Sequence, residues 1–328
     1  MKKTQTLFIL TLLLIACQNE TIINSSNETD QDEWTVSKQY LNEGSPFTLM
    51  DAPIFKPVHE INKLADDSKV ALVSFKNQVR VYPYYYTNKY EIINDVFENN
   101  YISVSFCPIT QSAICFNREI NGKVYNLIAS GYLFKDNMVP SDENLNFFLS
   151  QMLMKGIKGK IANQSLAHFN LIETTWGTVK NYFPNAQVFY DESSIKSDTY
   201  KKSTTGQSEF AYGIFNTKKT IESIELFFYD GAATKATLKI INQREVFVLR
   251  NKEKQFFNAF YTPKNRALRL LDDAHFPNII SDTKGNIYNI FGYTISGPNA
   301  GTQLESPKAY KAQLWAWKDF FPDLKINN

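Results

Sequence analysis

Two cysteines, Cys107 and Cys115, lie eight residues apart in the stretch "ISVSFCPITQSAICFN", residues 102–117. Three chemistries suit them. A disulfide across a hairpin would close a short loop and contribute about 2–3 kcal/mol on the chain-entropy account. Both thiols could instead stay reduced and buried, behaving as small hydrophobes. Or Cys107, followed directly by Pro108, could be a nucleophile at a turn. A second constellation stands upstream, where Arg80, Glu91, Asn94 and Asp95 flank the aromatic run "YPYYYTNKY", Tyr82–Tyr90. A carboxylate, an amide and a guanidinium walled by tyrosines suit a small polar ligand. With Cys107 added, Arg80, Glu91 and Asp95 would suit acid–base or thiol chemistry. The plainer reading is structural: Asn and Asp cap turns through their side chains, and an Arg–Asp pair can simply hold two strands. The histidines His59, His168 and His275 are too scattered for metal-ligand spacing. No nucleophile elbow, phosphate loop or dinucleotide fingerprint occurs. The sequence therefore predicts no metal and no cofactor.

The N-terminus reads as an address. Lys2 and Lys3 precede the apolar run "LFILTLLLIA", Leu7–Ala16, too short for a membrane span of ~20 residues and suited to a signal peptide over residues 1–16. The run ends in "LIAC", which resembles the lipobox of bacterial lipoproteins, and this implies cleavage before Cys17 and a lipid on its sulfur. Two or more acyl chains anchor a protein stably without spanning. The expected location is the bacterial cell envelope, at the periplasmic face or cell surface, with the membrane as a partner through Cys17. Residues 17–45 begin with a polar stretch holding five acids and no Lys or Arg over residues 18–33. They are expected to form a disordered acidic tether, spanning about 20–25 Å over ~16 residues. Cleavage removes two of the 35 basic residues, leaving 33 against 33 acids. A chain this near neutrality lacks the phosphate-neutralising surface of a nucleic-acid binder.

The elements that must position these residues are mostly strands. With 25 Phe and 18 Tyr, and β-branched runs punctuated by Asn, Gly and Lys, the composition is β-leaning. Strands are expected at "VALVSF" (70–75), "VRVYPYYY" (79–86), "YISVSF" (101–106), "SAICF" (112–116) and "KVYNLIAS" (123–130). Later ones fall at "IELFFYD" (224–230), "TLKII" (237–241), "EVFVLR" (245–250) and "FFNAFYT" (256–262). A pattern also occurs twice. "TTWGTVKNYFPN", Thr174–Asn185, aligns with "AQLWAWKDFFPD", Ala312–Asp323, at an offset of 138, which also pairs Gly159 with Gly297 and Leu166 with Leu304. "SDENLNFF" (141–148) aligns with "SDTKGNIY" (281–288) at an offset of 140. An ordered run of matches indicates internal duplication. The expected fold is mainly β, a β-rich α+β chain of two tandem related lobes. They would cover residues 46–190 and 207–328, joined by a polar linker at 191–206. Each lobe holds several short strands closed by one short helix, Leu171–Tyr182 and Ala309–Phe320, with Trp176, Trp315 and Trp317 as core residues.

In the order "RVYP" (Arg80–Pro83), "EIIND" (Glu91–Asp95), "FCPITQSAICF" (Phe106–Phe116), "LSQ" (Leu149–Gln151), "TTWGTVKNYFP" and "LWAWKDFFP" (Leu314–Pro322), the chain resembles the bacterial family known as domain of unknown function 3179. The resemblance implies a fold and an envelope location; it supplies no reaction. This chain departs from the family pattern at several points. The usual "CPLCG" is here Cys107-Pro108-Ile109-Thr110-Gln111, so the C-x-x-C pair is lost. The usual "HEI" is Tyr90-Glu91-Ile92. Of "D-x-x-T-G-S-x-W-S-Q" only Asp142, Ser150 and Gln151 survive. The leading expectation is a non-catalytic binding or scaffold module that takes a small polar ligand or an envelope protein, with Arg80, Tyr90, Glu91, Asn94, Asp95 and Cys107 as its cleft. The alternative is an envelope enzyme using the same first-lobe cleft.

Overall fold

The computed structural model describes residues 33–193, 209–216 and 223–327. The signal peptide, Cys17, the tether up to residue 32 and the linker from residue 194 lie outside the described residues. The chain is mainly β, with several antiparallel sheets and three short α-helices among the described residues: α1 (Tyr84–Thr87), α2 (Trp176–Tyr182) and α3 (Leu314–Phe320).

Local chemistry sets the boundaries. The Gln78–Pro83 strand stops at Pro83 and α1 begins at Tyr84, so the expected strand over 79–86 is cut short. Proline fixes φ and lacks the N–H that would extend the ladder. The expected run 123–130 divides into Lys123–Val124 and Leu127–Phe134. Both expected helices also begin later than read. Leu171–Thr175 and Ala309–Gln313 are strands, and the helices start only at Trp176 and Leu314. "LIETT" alternates and is β-branched, which favours a pleated strand. Thr175 then caps α2, its Oγ1 accepting from the Thr178 amide at 3.3 Å. Trp176 and Trp317 are fully buried, whereas Trp315 is half-buried.

Two four-strand units share one topology. In the first, Leu171–Thr175 pairs antiparallel with Lys69–Phe75, which pairs antiparallel with Gln78–Pro83, which takes Gln187–Phe189 in parallel. In the second, Ala309–Gln313, Phe210–Asn216, Ser223–Phe227 and Leu324–Asn327 repeat that order and those directions. The "SD" matches are also alike in detail. Asp142 accepts from the Asn146 amide and side chain at 2.6 and 2.7 Å, and Asp282 does the same for Asn286 at 3.1 and 2.8 Å.

The hydrophobic core does not divide along the chain. One cluster joins Tyr82, Trp176 and Phe189 to Phe256, Phe276 and Phe291; another joins Phe134, Phe147 and Leu149 to Phe215, Trp317 and Phe321. Each repeated helix is covered from the opposite half: Phe183, which caps α2, packs on Phe276 and Phe291, and Phe320 of α3 packs on Phe134. At the centre, Glu173 and Lys311, partners at the 138-residue offset, form an ion pair at 3.1 Å between the two repeats. Residues 33–45, read as tether, are instead seated on the body. Trp34 packs on Tyr132 and Phe148, the Thr35 amide bonds the Ile157 carbonyl at 2.8 Å, and Leu41–Asn42 pairs with Leu133 and Phe134. An aromatic side chain and paired backbone outweigh the acidity of the segment.

Candidate functional site

Of the residues singled out from sequence, Asn94, Asp95 and Cys107 occupy two faces of one sheet, and Arg80 belongs to the Gln78–Pro83 strand of another. Asp95 stands opposite Ile102 on the Asn100–Cys107 strand, and Asn94 opposite Ser103. Successive side chains alternate faces, so Asp95 projects away from Cys107 while Asn94 shares its side.

On the Asp95 face the group is closed on itself. The Arg80 guanidinium pairs with Asp95 Oδ2 and donates to the Val96 carbonyl at 3.0 Å. It lies between the Phe55 and Phe97 rings, 4.3 and 4.5 Å from their centroids. Tyr82 Oη donates to the same carboxylate at 2.7 Å, and the Val96 amide donates to Oδ1 at 2.7 Å. Burial first, and the Asp95 charge next, push the Tyr82 hydroxyl well above its ordinary pKa. Both Asp95 oxygens have hydrogen-bond partners, which is how a buried charge is tolerated.

Asn94, with no exposed surface, is equally engaged. Its amide donates to the Met50 and Leu127 carbonyls at 3.0 and 2.8 Å, and its Oδ1 accepts from Ser103 Oγ and the Leu127 amide at 2.6 and 2.9 Å. It tacks a strand to its neighbours from mid-strand and does not cap a turn. Tyr90 is elsewhere again, donating to Asp191 at 2.9 Å.

Glu91 lies beside the strand of Cys107, its carbonyl accepting from the Phe106 amide at 2.8 Å. Burial, then the neighbouring Glu91, raise the Cys107 thiol, against hydrogen bonds to Thr110 and Met138. Burial raises the Glu91 carboxyl to about 8. Glu91 follows α1 at a φ of 57°, a left-handed conformation uncommon for a residue with a Cβ. Around the thiol lies a buried polar network. Thr110 Oγ1 and Ser112 Oγ are hydrogen-bonded at 2.9 Å, and Asn137 donates to Thr110 at 2.9 Å. Gln151 accepts from Ser112 and Asn137, both at 2.8 Å, and donates to Ser105 at 2.9 Å. Thr110, standing where the family pattern has its second cysteine, is thereby held by hydrogen bonds.

Of the three readings of the cysteines, the disulfide does not form: Cys107 and Cys115 are both free and buried. Cys107 pairs with Ser112, and Cys115 with Val104. Three residues of offset put the sulfurs on opposite faces and ~10 Å apart along the strands, beyond the reach of a disulfide.

Away from this sheet, a cleft of about 630 Å³ opens between the turn at Asn77, the end of α2 and the Pro277–Asn278 segment. Its lining carries six carboxamides, Asn77, Gln78, Asn185, Gln187, Asn278 and Asn289, beside the apolar surfaces of Tyr182, Pro184, Pro277 and Ile295. Asn289 donates to Asn77 at 2.9 Å across the base and accepts the Phe291 and Tyr293 amides. Of the sequence-derived candidates only Arg80 reaches its wall. The other cleft residues went unread, because carboxamides in turns are commonplace and these come from segments some 200 residues apart. The one available signal was that Tyr182 and Asn185 flank the repeated Phe183–Pro184 pair.

The domain described as "Protein of unknown function (DUF3179)" matches residues 48–324. The chain belongs to this family. The DUF3179 match takes in both repeats, the cysteine-bearing hairpin and every wall of the cleft. Comparison with curated proteins and with solved structures finds no match.

Proposed function

We propose that this DUF3179 protein is a lipid-anchored envelope protein that works as a binding module, with the carboxamide-lined cleft as its site. One observation carries the binding reading. The polar side chains around Asp95 and Asn94 are bonded to one another, whereas the side chains of Gln78, Asn185, Gln187 and Asn278 line an open cleft of about 630 Å³ with no hydrogen bond to another described residue. Small-molecule sites commonly run ~300–1,000 Å³ with a few polar groups among apolar ones. The envelope reading rests on Lys2, Lys3, the apolar run and Cys17.

Two measurements test it. Intact mass of the native product should show Cys17 as first residue with an acyl adduct, and Cys17→Ser should leave the membrane fraction; retained Met1 would overturn the envelope reading. Hydrogen-exchange mass spectrometry with a glycan and small-solute extract of the envelope should give protection at residues 77–80 and 182–187. Unchanged exchange there would overturn the binding reading.

The alternative of an envelope enzyme is supported by the Glu91 carboxyl, raised to about 8, and its charge coupling to the Cys107 thiol one residue from the Glu91–Phe106 backbone bond. Perturbed groups of this kind gather at catalytic sites. Arg80 and Asp95 take no part in it, since they lie across the sheet. A thiol-directed alkylating probe should label Cys107 in folded wild type and not in Glu91→Gln if that reading holds; an unlabelled wild type would sink it.

A further inference from the structure

We infer that the cleft is a saccharide site, taking a neutral, hydroxyl-rich glycan; this rests on the binding reading above and names its ligand class. Charge is the first argument. Arg80 and Glu98 are the charged residues of the lining. Arg80 is committed to Asp95, and Glu98 is paired with Lys76 at 3.1 Å. An ionic ligand would therefore meet no uncompensated counter-charge.

The donors and acceptors come next. Gln78, Asn185, Gln187 and Asn278 each present an NH₂ and a C=O side by side, a pair that matches two vicinal hydroxyls, one accepting and one donating. Tyr182, Pro184, Pro277 and Ile295 supply the apolar surface against which the C–H face of a pyranose ring packs. Asn289, bonded to Asn77 and to two backbone amides, holds two walls at fixed separation, so the site is formed before the ligand arrives.

An extended peptide is the competing ligand, and the backbone disfavours it. Peptides commonly add as a strand to an open sheet edge. The Gln187–Phe189 strand that floors this wall is flanked on both sides, by Arg80 and Val81 in parallel and by Phe55–Pro57 antiparallel. Recognition must come from side chains, and these are amides.

The test uses the full chain in a polyoxyethylene detergent, so that no sugar headgroup competes. Maltohexaose, cellohexaose, chitohexaose and mannohexaose are titrated calorimetrically, beside polygalacturonate and an uncharged extended decapeptide. At least one neutral glycan should bind. The double variant Asn185→Ala, Gln187→Ala should weaken it about tenfold or more, as expected for losing one to two hydrogen bonds. Both positions are exposed, and an unchanged melting temperature confirms the variant's fold. Binding of none of the four glycans, binding of the peptide or polygalacturonate alone, or a variant that binds as wild type would each overturn the inference. Failure here with cleft protection by envelope extract intact sinks the ligand class alone; loss of both sinks the binding reading with it.

Discussion

At the scale of single residues, Glu91 and the two cysteines make the sharpest predictions. The Glu91 carboxyl rises from 4.5 to about 8 because the fold removes it from water. In the unfolded chain it ionises near 4.5, so between that pH and about 8 the folded state holds the extra proton. Stability then falls as pH rises through this window. The wild type should lose roughly 2–3 kcal/mol across it, after allowance for partial solvent contact. Glu91→Gln should flatten that slope; parallel profiles from urea melts at several pH values would refute the assignment. For the thiols, a Cys17→Ser chain unfolded without reductant should titrate two thiols, and the folded chain none. A single oxidised pair would contradict the strand register, which separates Cys107 from Cys115 by a face of the sheet.

Among the elements, the hairpin carrying Cys107 and the strands behind it depend on one amide. Gln151 bonds Ser105, Ser112 and Asn137 with no exposed surface of its own. Removing it orphans buried donors and acceptors, each costing ~1–3 kcal/mol. Gln151→Ala should therefore destabilise by roughly 3 kcal/mol in urea unfolding, while Thr175→Ala, which removes only the cap of α2, should cost about 1 kcal/mol. Equal losses would mean that the network is not cooperative. The same elements show where pattern reading stops. "LIETTWGTVKNY" reads as one helix because an apolar side chain recurs at helical spacing, yet its first five residues pair with Val73–Lys69 of the Lys69–Phe75 strand. A half-buried strand and a helix face look alike over so few residues.

For the molecule as a whole, the interlocked cores matter more than the repeat. Phe183 is covered by Phe276 and Phe291, and Phe320 by Phe134. The Glu173–Lys311 pair is almost wholly buried between the repeats, its side chains 6% and 11% exposed. Losing one partner of such a pair leaves a charge in low dielectric, at a cost of ~3–5 kcal/mol. A fragment ending at residue 193 would lose all of this at once. It should lack near-ultraviolet circular dichroism and a cooperative melt, whereas the full chain should unfold in a single transition. An independently folded fragment would show that each half keeps its own core.

Much of the architecture is legible in the amino-acid sequence. Strand-rich composition, the positions of most strands, the repeated strand–helix unit and the buried Trp176 and Trp317 all follow from local periodicity, which is written in neighbouring residues. The partners of Arg80, Asn94 and Asp95 were not legible, because alternation along a strand gives two faces without saying what packs on either. The same limit hid the separation of Cys107 from Cys115, which turns on pairing register. The cleft at Asn77, Asn185 and Asn278 was invisible for a deeper reason. Its walls are brought together by long-range packing of two intertwined halves, and no single segment carries a trace of that meeting.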